Sequence, residues 1–195
     1  TSGTTGDCTW SLDGTVLTIS GNGTMRDYSP ASSLPWGNRI TQVIINDGVT
    51  NIGDYAFYNC SKLTSATIGN SVTNIGESAF AYCNALTSIT IPDSVTSIGE
   101  YAFAGCYGLT SITIPDSVTT IGDYVFGYCK SLTSITIPDG VTSIGEYAFY
   151  ECESLTSVTI SGSDTSIGEE AFRYCDSLTA INIDSKNKHY ASEDG

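Results

Sequence analysis

The chain has 195 residues and a hydrophobic content of 40%, enough for a continuous core. No apolar run approaches the ~18–20 residues that a membrane-crossing helix needs. Seven Lys and Arg against 21 Asp and Glu leave a net charge of −14. That charge repels phosphate backbones and anionic bilayers, so nucleic acid and membrane insertion are not expected, and basic proteins, cations and neutral glycans stay open.

Residues 1–39 read as a small β-rich cap. Cys8–Leu12 and Val16–Ser20 alternate around Asp13-Gly14, a hairpin signal, and Asn22-Gly23 marks a second turn. Trp10, Met25, Tyr28 and Trp36 supply apolar bulk to cover whatever follows, and the Ser- and Pro-rich 27–39 stretch connects to it. The chain starts Thr1-Ser2-Gly3 and ends in a polar tail, 184–195, so it is expected to be a piece of a longer protein.

From Ile40 the sequence repeats every 23 residues without a gap: 40–62, 63–85, 86–108, 109–131, 132–154 and 155–177, with a partial seventh unit from Leu178 to Ile183. A fixed period of this size is the mark of a solenoid, in which each unit buries its apolar side only against its neighbours. In the unit starting at Leu86, Ile89 and Ile91 alternate with Ser88 and Thr90 as in a half-buried strand. Equivalent strands run parallel and need a return path; Pro92-Asp93 turns the chain away, and Val95 and Ile98 form a second inward segment. Ser97 and Glu100 then stand three apart, the spacing of a helix capping box. The same pair recurs as Asn51/Asp54, Asn74/Glu77, Thr120/Asp123, Ser143/Glu146 and Ser166/Glu169. Each unit is therefore expected to close with a short helical turn carrying the Phe and Cys columns inward.

The glycine column (Gly53, Gly76, Gly99, Gly122, Gly145, Gly168) implies either a positive φ or close backbone contact between coils. Two positions break the pattern. Ala66 stands where other units have Ile or Val, predicting looser packing, and Asp164 replaces a core Val, predicting that 161–165 bulges outward. Six of the seven cysteines fall at the 23-residue interval, pointing the same way on successive coils, and read as small buried hydrophobes with no disulfide or metal role. His189, the only histidine, has no second ligand or base near it in sequence and reads as a loop residue.

L-x-x-I-x-I followed by I-P-D-x-V-T-x-I-G-x-x-A-F-x-x-C resembles the BspA-like subgroup of leucine-rich repeats over residues 40–183, and the leader S-G-T-x-G-D-x-x-W-x-L-D-G resembles the segment that precedes such repeats. The resemblance implies a leucine-rich-repeat solenoid with a parallel β-sheet on one face, short helical turns on the other and the small N-terminal cap. It implies a bacterial, extracellular or cell-surface protein that adheres to a host extracellular matrix protein such as fibronectin or fibrinogen, to another surface protein or to a glycan. It carries over no catalytic motif and no cofactor.

Two functional readings follow. In the first, the chain is a non-catalytic binding or adhesion module. One candidate surface is the exposed sheet face, with Thr87, Ser88, Thr90, Thr110, Ser111, Thr113, Thr133, Ser134 and Thr136; the other is the tyrosine column Tyr101, Tyr124 and Tyr147 on the turn side. The sheet face lacks the Tyr, Trp and Arg that usually anchor binding, whereas tyrosines crowd the turns, where they also suit edge packing. In the second, the near-identical units make a rigid spacer with no ligand of its own. An enzyme is the weakest reading, because no nucleophile–base pair or phosphate loop is present. An unpaired C-terminal strand would also allow an edge-to-edge dimer.

Overall fold

The computed structural model describes residues 1–162, 165–187 and 190. An antiparallel meander opens the chain: β1 (Ser2–Thr5), β2 (Cys8–Asp13) and β3 (Val16–Gly21), followed by the short β4 (Gly23–Thr24). Each coil then contributes one longer and one shorter strand. The pairs are β5 (Gln42–Ile45) and β6 (Val49–Ile52), β7 (Ser65–Ile68) and β8 (Asn74–Ile75), and β9 (Ser88–Thr90) and β10 (Ser97–Ile98). They continue as β11 (Ser111–Thr113) and β12 (Thr120–Ile121), β13 (Ser134–Ile137) and β14 (Ser143–Ile144), and β15 (Ser157–Ile160) and β16 (Ser166–Ile167), before β17 (Ala180–Ile183). The result is a parallel β-solenoid of about seven turns.

The meander is built into the solenoid: β3 lies parallel to β5, Leu17 opposite Val43 and Ile19 opposite Ile45, and β4 pairs with β6. Trp36 is buried 5.8 Å from the Phe57 ring and meets Trp10 (6.0 Å) and Tyr28 (5.5 Å) edge-on, so aromatic rings cover the apolar end of the first coil. Pro92, Pro115 and Pro138 open the expected turns, their carbonyls accepting from the amides of Val95, Val118 and Val141. The shorter strands form one unbroken seven-stranded ladder, β4-β6-β8-β10-β12-β14-β16, whereas the longer ones divide into three sheets, β1-β2-β3-β5-β7, β9-β11 and β13-β15-β17.

The helical turns expected on the far side are absent: among the described residues there is no helix. Half of the amides in that segment close turns within the coil, as Ala102 to Gly99 and Ala104 to Tyr101, while those between them donate to the next coil, Tyr101 to Asp123 and Phe103 to Val125. This third inter-coil ladder explains the difference. Strand pairing sets coils ~4.8 Å apart, whereas an α-helix with its side chains is ~10 Å across, so stacked helices would force the coils to splay. Two acidic residues of the capping pairs, the aspartates, serve the ladder instead: Asp54 accepts from the Glu77 amide and Asp123 from the Glu146 amide, both at 2.8 Å.

The core is a set of columns. Phe57, Phe80, Phe103, Phe126 and Phe149 are fully buried, and consecutive rings through Phe172 stack at 5.0–5.7 Å. Beside them the thiols of Cys83, Cys106, Cys129, Cys152 and Cys175 donate to phenylalanine carbonyls, Cys106 to Phe80 at 3.2 Å for example. All seven cysteines are free, and burial pushes the Cys60 and Cys106 thiols up to about 12. None of the column glycines has a positive φ, and close approach accounts for every one of them except Gly122. A Cβ on Gly99 would stand 2.6 Å from the Glu77 nitrogen, and one on Gly53 would strike the Arg26 carbonyl. Ala66 is half-buried opposite Val43. Asp164 and His189 lie outside the described residues; beside the former, Thr165 is buried and donates to the Val141 carbonyl at 2.7 Å.

Candidate functional site

On the sheet face, alternation along each longer strand sends Ile inward and Ser or Thr outward, so Thr87, Ser88, Thr90, Thr110, Ser111, Thr113, Thr133, Ser134 and Thr136 are all exposed. The ladder sets Ser88 beside Ser111 and Thr90 beside Thr113. One column is already engaged: the Thr110 hydroxyl donates to the Thr87 carbonyl (3.2 Å) and that of Thr133 to the Thr110 carbonyl (3.4 Å). Thr64, Thr156 and Thr179 repeat the bond, so these hydroxyls tie coil to coil.

The remaining candidates keep their hydroxyls toward solvent, and four of them converge. The successive strands β11 and β13 share no ladder, and an open groove runs between them, lined by Ser111, Thr113, Ser134 and Thr136 with Asp116 and Pro138 at one end. The sequence gives no hint of this seam, because 111–116 and 134–139 are the same six residues, and nothing in the structure explains why it falls there.

On the turn side the three tyrosines also come together. Tyr101 and Tyr124 stack at 4.9 Å with planes 6° apart, and Tyr124 and Tyr147 at 4.8 Å and 13°. Their backbones adopt positive φ, 56°, 53° and 55°, the conformation that lets every second amide reach the next coil. Stacking covers the ring faces and leaves edges and hydroxyls outward. The ladder stops where Ser78 replaces tyrosine, and Tyr101, at that end, is 38% exposed. Burial raises the Tyr101 phenol, with Tyr124 and the carboxylates of Glu100 and Asp123 adding to it. A hydrogen bond to the Glu170 carboxylate is the largest cause of the rise at Tyr147.

Sequence reasoning missed Tyr150, which packs against Tyr147 (5.6 Å), Tyr128 (5.3 Å) and Tyr174 (5.4 Å) and joins the two tyrosine columns. Tyr58 does the same between Tyr55 and Tyr82. The signal was present: Tyr58 and Tyr150 occupy a column held by Ala81, Ala104, Gly127 and Arg173 elsewhere. Among the described residues no group of three or more His, Cys, Asp or Glu side chains is arranged to hold a metal ion.

Parallel strands recurring every 23 residues, a turn after each and a continuous apolar interior define a leucine-rich-repeat solenoid. The BspA-type leucine-rich repeat region model matches residues 36–120 and 96–193, with six copies, and the chain belongs to that family. Among solved structures, a leucine-rich repeat protein of T. pallidum is 26% identical with a TM-score of 0.70, over 92% of this chain and 81% of that one. A leucine-rich cell surface protein of Faecalibacterium prausnitzii, 20% identical with a TM-score of 0.52 over 100% and 98% of the two chains, shares the fold. No curated protein matches the chain.

Proposed function

We propose that this chain is a non-catalytic, protein-binding module of a bacterial surface or secreted protein, that residues 1–39 cap its solenoid, and that the sheet face is its binding surface. The observation that carries the reading is the groove between β11 and β13, where four outward hydroxyls without partners meet beside Asp116. It offers a partner hydrogen-bonding groups on a rigid frame, and the net charge of −14 favours a partner with basic side chains. The tyrosine ladder supports the frame, since stacked rings have little free face to offer. The family, and the cell-surface description of the F. prausnitzii protein, support the placement outside the cell.

The test is a solid-phase screen of the purified chain against extracellular matrix proteins and mucins. A saturable hit weakened by Thr113→Lys and Thr136→Lys, but kept by Tyr101→Ala and Tyr124→Ala, is the expected result. The reverse pattern moves the site to the tyrosine ladder. Absence of binding at micromolar concentration favours the second reading, a rigid spacer, which the near-identical coils and the lack of aromatic or Arg anchors on the central sheet face support.

A further inference from the structure

On the turn side, the column between the two tyrosine columns carries an aromatic ring only in the first and fifth units, as Tyr58 and Tyr150. Where that ring is present, the same local structure forms both times. The Asn59 amide donates to the Ala81 carbonyl at 2.8 Å and the Glu151 amide to the Arg173 carbonyl at 3.0 Å, which fixes the next coil beside each ring. Tyr58 then meets Tyr82 of the second unit at 5.6 Å with planes 87° apart, and Tyr150 meets Tyr174 of the sixth at 5.4 Å and 76°. One ring of each pair is open to solvent, Tyr82 at 38% and Tyr174 at 48%, while its partner is half-buried. Both exposed rings sit on backbone with positive φ, 60° and 59°.

Two phenols held in contact can be joined by one-electron oxidation. The oxidant removes a hydrogen atom from each hydroxyl, and the two phenoxyl rings bond through carbons ortho to their oxygens. Each of those carbons then gives up its hydrogen as a proton, and each oxygen regains one. The chain loses two hydrogens for each link, and these reduce one hydrogen peroxide to two waters. The joined rings are twisted about the new bond, so a pair that already crosses edge to face needs less rearrangement than a stacked one. The ladder of Tyr101, Tyr124 and Tyr147 is stacked, its planes only 6° and 13° apart. Tyr150 has a second edge-on neighbour, Tyr128 at 5.3 Å, but that ring is half-buried and less open to an oxidant. Phenols positioned in this way react with each other in preference to those of another molecule.

We propose that Tyr58 with Tyr82, and Tyr150 with Tyr174, are oxidative cross-linking sites, at which a haem peroxidase using hydrogen peroxide joins adjacent coils through a carbon–carbon bond between rings. The links fasten the first coil to the second and the fifth to the sixth. The third and fourth units, with Ala104 and Gly127 in this column, stay unlinked. A covalent bond between coils restricts the unfolded chain and so stabilises the stack. Linkage on the turn side is independent of protein binding on the sheet face.

The test is exposure of the whole chain, at low concentration, to a haem peroxidase and hydrogen peroxide, read by dityrosine fluorescence, denaturing gel electrophoresis and peptide mapping. The expected product is a monomer with dityrosine emission, in which the peptides holding Tyr58 and Tyr82, and those holding Tyr150 and Tyr174, are joined with loss of two hydrogens per link. Tyr58→Phe with Tyr150→Phe keeps the rings and removes their hydroxyls, so this variant should melt as the parent does and lose most of the emission. Tyr107→Phe should keep it, because Tyr107 is 40% exposed but touches no other ring among the described residues. Links mainly between chains, links mainly at other tyrosine pairs, emission retained in the double variant, or no dityrosine where the same peroxidase couples free tyrosine overturns the proposal.

Discussion

At Gly99 and Gly122 the same residue in the same column meets different surroundings. A Cβ on Gly99 would lie 2.6 Å from the Glu77 nitrogen, whereas one on Gly122 would find nothing nearer than 3.5 Å. Gly99→Ala should therefore cost about 1–3 kcal/mol, as overpacking against backbone does, while Gly122→Ala should fall within about 0.5 kcal/mol of the parent. Urea unfolding of both variants decides it, and equal losses would mean that the column is fixed by something other than coil contact. The thiols give a pH dependence. Burial favours the neutral form of the Cys60, Cys83, Cys106 and Cys129 thiols, so their contribution is fully present below the unfolded cysteine range near pH 9 and is lost as pH rises toward the folded value, about 12 for Cys60 and Cys106. The urea midpoint should fall between pH 9 and 11, with the native chain staying unreactive to thiol reagents until it unfolds. A midpoint constant across that range would contradict the burial argument.

Among the elements, the phenylalanine column carries the largest buried side chains, and its members are not equivalent. Phe103 stacks on both sides, whereas Phe172 is partly buried and stacks on Phe149 alone among the described residues. Phe103→Ala should cost about 3–5 kcal/mol, the range for a deleted core ring, and Phe172→Ala clearly less, measured by calorimetry. The burial of the column was legible in the sequence, because strand alternation and the Phe and Cys columns record it directly, whereas the difference between its members was not. The closing segment was not. Ser97 and Glu100 have capping-box spacing, but the nearness of the next coil decides what their backbone does, and that is a property of the stack and not of the local residues. Positive φ at Tyr101, Tyr124 and Tyr147 was hidden for a related reason: a bulky side chain seldom adopts it, and the ring stacking that accompanies it appears only once the coils are adjacent. Of the candidate surfaces, the outward Ser and Thr could be read from alternation, while the seam between β11 and β13 lies in identical sequence and had no local signal.

The molecule is held along its length by the unbroken ladder of the shorter strands and the ladder between turns, with the longer-strand ladder interrupted twice, all directed from coil to coil. That common direction gives the protein a mechanical axis. A pull on its two ends loads the bonds between one coil and the next in tension, where they separate in sequence, and no pair of long strands has to shear at once. The chain should then lengthen under an optical trap in a series of near-equal steps of about 75 Å, the extended length of 23 residues less one coil spacing. A single cooperative rupture would show instead that the coils share load. Stepwise yielding would let a tethered surface protein pay out length under flow and rewind coil by coil when the tension drops.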